Sequence, residues 1–291
     1  MLRGCLPSPL ALPSSAVSWI RQRVVGVRLL TDAEVEPSRR ELHITSGYLP
    51  SGSYLLCLQA LVLPTNELFN TWSSLLATLV HTWRLWLSTA DVPAAAYVQP
   101  YQLCLLAAAV SALTSALAHG LYPASRRANH LFFCLDYVGL GLYGLAVTLA
   151  YQAYGSSAPW SPFLPGTAVL AVLGSAAACA SRLTCRRRHA PLLRALSLTA
   201  PYLSSHVVCS VVAAAAYVTR WPECRWPGRH DVLGHSHGWF HVFGQLAVVC
   251  QVAAAQAEMA LSAGEPPAQL RWWVQTGFGW TAALMLAVAP G

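Results

Sequence analysis

Apolar runs of bilayer length, separated by short polar segments, constrain this chain more than any other feature. A transmembrane helix needs about 20 consecutive, mostly apolar residues. Residues 68–88, 98–119, 130–154, 163–181 and 272–289 approach or reach that length, as do the apolar regions 192–218 and 232–262. Of the 291 residues, 55% are hydrophobic and 10% are charged, whereas a soluble domain carries about a quarter charged residues. So few polar side chains cannot cover a water-exposed globule. The expected fold is all-α, a polytopic transmembrane bundle of about seven helices occupying residues 51–291, preceded by a cytoplasmic basic arm at residues 1–50.

In the arm, "SWIRQRVVGVRLL" can form a basic amphipathic helix on a membrane surface. The run "SYLLCLQALVL", residues 53–63, is too short to span, is stopped by Pro64, and belongs in the interface. The opening apolar stretch does not read as a cleaved signal peptide, because three prolines break it and Arg21, Arg23 and Arg28 follow rather than precede it. The nine cysteines are scattered with no C-x-x-C pair. Most lie in or beside apolar runs, where Cys acts as a small hydrophobe.

The net charge is +7 and all 18 basic residues are arginine. They cluster in short segments between apolar runs, which is a membrane-topology pattern and not a nucleic-acid surface. Arg39 and Arg40 lie in the arm, Arg126 and Arg127 between the second and third spans, and Arg182, Arg186, Arg187, Arg188 and Arg194 after the fourth. Segments 89–97 and 155–162 carry none. The positive-inside rule therefore puts the arm, 120–129 and 182–194 in the cytoplasm. Segment 219–231, with Arg220, Arg225 and Arg229, also favours the inside. Residues 195–218 would then have to cross twice, which takes about 40 residues. One helix is thus missing or broken around residues 192–218. A break or re-entrant turn near Pro201 would keep the residues after 219 on the cytoplasmic side.

Those residues include "GHSHGWFH", Gly234 to His241. His237 and His241, four apart, share one helix face, while His235 points to another. Such a pair recurs as a zinc ligand set; taken alone it reads first as interfacial histidines bonded to headgroups or carbonyls. Two further stretches bear on the choice. "SALAH" places Ser115 and His119 one turn apart at the end of the second span, and "FFCLDYVGL" places Asp136 at the start of the third. A carboxylate in lipid faces the bundle interior and pairs there; a Tyr or Ser on a neighbouring helix would serve as partner. With 219–231 inside, His119, Asp136, His237 and His241 share one membrane depth. Three imidazoles, a carboxylate and a hydroxyl at one depth meet the needs of a tetrahedral zinc with an open water position. Ser115 and Asp136 would then bind water or orient the ligands.

"SALAH", "FFCLDYVGL" and "GHSHGWFH" resemble the signature regions of the progestin and adipoQ receptor family, as do "SGYLPSG" (Ser46 to Gly52), "NELFNTW" (Asn66 to Trp72) and "WPECRWPG". The resemblance covers roughly residues 42–262 and is nearer to membrane progestin receptors than to adiponectin receptors, chiefly through "LDYVGLGLYGLAVTLAY". It implies a bundle of seven helices, eight in some members, with a cytoplasmic N-terminus. It also implies zinc near the cytoplasmic side on His119, His237 and His241, with Ser115 and Asp136 close by. Adiponectin receptors are associated with zinc-dependent ceramide hydrolysis, and the progestin-receptor members with steroid sensing at the plasma membrane and G-protein signalling. Departures are Ser74 where many members have His, Leu49 where Arg is usual, one extra residue in Pro222-Glu223-Cys224-Arg225, and one helix where the family has two before "WPECRWPG".

The expectation is therefore a multi-pass plasma-membrane receptor binding a steroid or related lipid, with membrane lipids and a heterotrimeric G protein as partners and no nucleic acid. Tyr137, Tyr143, Tyr151, Trp72 and Trp239 could line the ligand, or serve as core and interfacial aromatics. One rival is a zinc-dependent lipid amide hydrolase with Asp136 as general base. The other is an inactive paralogue or scaffold.

Overall fold

The computed structural model describes residues 26–91, 96–155, 163–184, 205–261 and 268–289. The described residues are mainly helical and form no strand beyond an isolated bridge between Leu30 and Tyr48. A short α1 (Tyr54–Gln59) leads through a 3-10 turn (Ala60–Val62) into α2 (Leu68–Asp91). There follow α3 (Gln99–Leu121), α4 (Arg126–Gly155), α5 (Phe163–Thr184), α6 (Ser205–Thr219) and α7 (Ser236–Leu261). The last segment is α8 (Ala268–Trp272), a π turn (Trp273–Gly277) and α9 (Phe278–Val288). Four of these, α3, α4, α5 and α7, are long and apolar enough to cross a bilayer. The protein is an integral membrane protein built as a helical bundle.

Helix α4 begins at Arg126, four residues before the apolar run, because its polar first turn hangs on Ser125, whose hydroxyl accepts from the Ala128 amide at 3.0 Å. In α1, Ser53 caps the first turn by accepting from the Leu56 amide at 3.3 Å. That helix and the turn after it bury Cys57, Ala60 and Leu63 and expose Tyr54, Leu55, Leu58 and Val62. The Trp72 indole donates to the Leu61 carbonyl at 2.8 Å and stays half exposed beside that apolar surface. Trp239 is likewise exposed. Of the aromatics singled out from the sequence, these two face outward and do not line an interior site, whereas Tyr143 is buried.

Between helices in lipid, close packing of small residues replaces the hydrophobic effect. On α3, Ala108, Ala112, Ser115 and His119 fall on one buried stripe. Gly139 of α4 meets this helix so closely that a Cβ there would lie 2.5 Å from Thr114 Oγ1 and 3.0 Å from Ser111 Cα. Helix α7 packs against α2, α3 and α4, α6 lies along α7, and α9 packs on α5 and α4. The main apolar core joins Tyr101, Cys104, Leu105 and Ala108 of α3 with Tyr143, Val147 and Ala150 of α4 and Val252 and Ala255 of α7.

The arm folds back over one end of the bundle. Leu29 and Leu49 pack on Cys57, Ala60 and Leu63, and Tyr48 pairs in both directions with the Leu30 backbone at 2.7 and 3.1 Å. The Tyr48 ring is fully buried with Val35 and Ile44; burial raises its phenol pKa, and the neutral hydroxyl donates to the Ile44 carbonyl at 3.1 Å. Segment 219–235 closes on the arm from the other side. Asp231 accepts from the Thr45 amide (3.1 Å), the Thr45 hydroxyl (3.0 Å) and the Ser46 hydroxyl (2.7 Å). Arg220 faces Glu41 at 3.8 Å. The turn between α3 and α4 lies at this end too, since the Gly52 amide donates to the Pro123 carbonyl at 3.3 Å and Arg39 stacks over Tyr122. So does the end of α5, where Arg182 donates to Asn129 at 2.5 Å.

This settles how segment 219–231 stands relative to the arm: both lie at one end of the bundle, with 120–129. Helix α6, about 22 Å long, ends there, so Ser205 lies far from Arg182. The break expected near Pro201 lies outside the described residues, as do Arg186, Arg187, Arg188 and Arg194, segment 156–162 and most of the basic amphipathic stretch.

Candidate metal centre

Two helices deliver the three histidines to the arm end of the bundle. His119 sits in the last turn of α3, and His237 and His241 lie one turn apart at the start of α7. Their ligand-capable nitrogens lie within 4.8 Å of one another. His241 Nε2 is 3.1 Å from His119 Nε2. The His237 and His241 rings stack at 5.1 Å and 14°, and both meet the His119 ring edge-on. His119 and His241 are buried and His237 half-buried.

What lies behind each ring decides which nitrogen faces the centre. Glu67, just before α2, lies 2.8 Å from His119 Nδ1 through Oε2. The same oxygen accepts from the Asn70 side chain at 2.7 Å. A carboxylate at Nδ1 fixes the proton there and leaves Nε2 with its lone pair free. Ser74 Oγ lies 3.3 Å from Ser115 Oγ and 3.2 Å from His241 Nδ1. When Ser74 donates to Ser115, it accepts from His241 Nδ1, and His241 also presents a bare Nε2. Two lone pairs facing each other at 3.1 Å attract a cation between them. Nitrogens on one tetrahedral zinc at 2.0–2.1 Å sit about 3.3 Å apart. The donor set, the His119–His241 spacing and the groups behind the rings suit a metal ion.

Asp136, buried in α4, lies beside Ser115 and within electrostatic reach of His119. The close approach at Gly139, three residues further on, holds α4 against α3 at this level. Phe133 packs edge-on against His119 at 5.3 Å, with the Arg182 guanidinium over the Phe133 ring. Tyr217 of α6 meets His237 edge-on at 5.6 Å, so α6 helps wall the site.

His235 takes no place in the triad. It lies outside α7, accepting from the Gly238 amide at 3.3 Å through Nδ1 and contacting the Asn66 carbonyl at 3.2 Å through Nε2. Burial lowers its pKa below the ordinary imidazole value, which keeps Nδ1 free to accept. Glu223 caps the same helix: its carboxylate accepts from the Ser236 amide at 2.7 Å and from the Ser236 hydroxyl. The segment between α6 and α7 thereby sets the rotation of the turn that carries His237 and His241. Reading the sequence for site residues missed Glu67 and Glu223, although both lie inside quoted motifs. Ser74, noted only as a departure, lies in the site itself.

Comparison with known proteins agrees with the motifs. The profile of the haemolysin-III-related family matches residues 63–205 and 191–252. The mouse membrane progestin receptor delta is 29% identical over 255 residues, covering 74% of this chain and 74% of its own. The human membrane progestin receptor delta is 30% identical over 297 residues, covering 85% and 83%. The human membrane progestin receptor alpha is 31% identical over 257 residues, covering 76% and 74%.

Proposed function

Because the chain belongs to the haemolysin-III-related family, with the membrane progestin receptors among its relatives, we propose that it is a membrane receptor for a steroid or related lipid. In this reading the bundle holds one zinc on His119, His237 and His241. The observation that carries the zinc is the pair of Nε2 atoms 3.1 Å apart with Glu67 and Ser74 behind them. The kinship supports the ligand class, a progestin being the first candidate. The arm end is the cytoplasmic end by its arginines, so a G protein would meet the arm and segment 219–235. The plasma membrane is the proposed compartment.

Asp136 beside the triad favours a second reading, hydrolysis of a lipid amide. Zinc at such a site supplies Lewis acidity to a water or carbonyl oxygen. In this reading Asp136 would hold a proton and Ser115 would orient it. Purified protein in nanodiscs separates the readings. Saturable tritiated progesterone binding with no ceramide turnover supports the receptor. Turnover that a chelator and Asp136→Asn abolish supports the enzyme. Neither activity, with zinc bound, leaves the scaffold.

A further inference from the structure

The half of the bundle remote from the triad holds a second set of polar groups. His81 of α2 is 1% exposed, and both its ring nitrogens lack a hydrogen-bond partner. It lies seven residues, about 10 Å along the helix, beyond Ser74. One turn further, Arg84 reaches across the bundle. Its guanidinium donates to Gln256 Oε1 of α7 at 2.8 Å and lies 3.4 Å from the Tyr101 hydroxyl of α3. His81 and the buried Cys104 both lie within electrostatic reach of this cation. Nearby on α4 the Tyr143 hydroxyl donates to Gln251 Oε1 of α7 at 2.7 Å. Four helices thus turn polar groups into a layer otherwise walled by Leu105, Ala108, Val147 and Val252.

A buried imidazole with neither nitrogen bonded is costly, the more so at membrane depth. Arg84 also retains donors, since a guanidinium has five N–H groups and two acceptors are engaged. Between them the two residues offer donors and a positive charge, with no carboxylate among the neighbours named above. What completes such a site is an acceptor oxygen on an apolar body.

We propose that His81 and Arg84 form an intramembrane recognition site for the carbonyl or carboxylate oxygen of an apolar ligand, on the side of the bundle away from the histidine triad. The inference rests on the receptor reading and locates the polar end of its ligand. A steroid ketone and a fatty-acid carboxylate share the chemistry, and the arms of the test separate them.

The test uses the full chain in phosphatidylcholine nanodiscs, with tritiated progesterone and tritiated oleate as probes, comparing wild type with His81→Phe and Arg84→Gln. Zinc content and thermal melting establish that each variant is folded; His81→Gln replaces His81→Phe if the latter is not. The expected result is a loss of affinity of about tenfold or more for one probe in both variants, the size of a lost hydrogen bond to a charged group, with zinc content unchanged. Loss for progesterone alone identifies the ketone, and loss for oleate alone the carboxylate. Wild-type binding that survives both substitutions overturns the site and leaves the receptor reading standing. Absence of binding of either probe to wild type overturns both.

Discussion

The Glu67 carboxylate accepts the Nδ1 proton of His119 across 2.8 Å, from a residue 52 positions earlier in the chain. This contact turns His119 Nε2 toward the other two imidazoles. Removing it frees the tautomer and the ring, and groups of this kind are worth about 10–100-fold in metal affinity. Glu67→Gln is expected to weaken zinc binding by that factor, measured by competition with a chromophoric chelator. Unchanged affinity would mean that His119 is oriented without Glu67.

Ser74 plays the matching part for His241 at 3.2 Å and also bonds to Ser115. Ser74→Ala leaves His241 Nδ1 without a partner and should lower zinc affinity by about tenfold. Ser115→Ala, which keeps Ser74 free to bond to His241, should cost less. The reverse order in the same competition assay would contradict the assignment.

The arm is pinned to segment 219–235 mainly by Asp231, which accepts three hydrogen bonds from Thr45 and Ser46. Asp231→Ala strands three donors at a part-buried junction. A cost of about 2–3 kcal/mol is expected from bonds to a charged acceptor, read as a lower melting temperature and faster proteolysis of the arm. A variant as stable as wild type would show that the apolar contacts of Leu29 and Leu49 hold the arm unaided.

Gly139 admits no side chain without moving α3 backbone. Gly139→Ala is expected to destabilise the bundle by about 1–3 kcal/mol, since its nearest obstacles include Ser111 Cα as well as a side chain. An unchanged melting temperature would mean that α3 and α4 can separate at little cost.

Sidedness has a native reporter. Cys224 is exposed in segment 219–235, and its end of the bundle is the arginine-rich one. In a chain carrying Cys5→Ser and Cys185→Ser, an impermeant maleimide should label it in inverted vesicles and not in right-side-out ones, with Cys224→Ser removing the signal. Labelling from the outside would invert the proposed topology.

The long helices were legible in the sequence because each is a bilayer-length apolar run, and the spacing of His237 and His241 placed both on one face. His119 could be joined to them only through membrane depth, inferred from arginines. Segment 219–231 was the weak point of that inference, and the contact deciding it, Asp231 to Thr45, joins residues 186 apart with no local pattern to announce it. Glu67 was hidden for a similar reason. An acid just ahead of an apolar run reads as an ordinary helix start, and its partner is known only once α3 is seen to end beside α2. The outward positions of Trp72 and Trp239 were also illegible, because an aromatic in a membrane helix suits core, lipid and interface alike.

His119, His237 and His241 are proposed to hold one zinc. Elemental analysis of protein purified without chelator, alongside His119→Ala, His237→Ala and His241→Ala, tests it most directly. About one zinc per chain is expected in the wild type, lost or sharply reduced in each variant while the folded helix content is kept. Wild-type protein free of stoichiometric metal, or variants that retain it, would show that the three histidines do not hold a zinc.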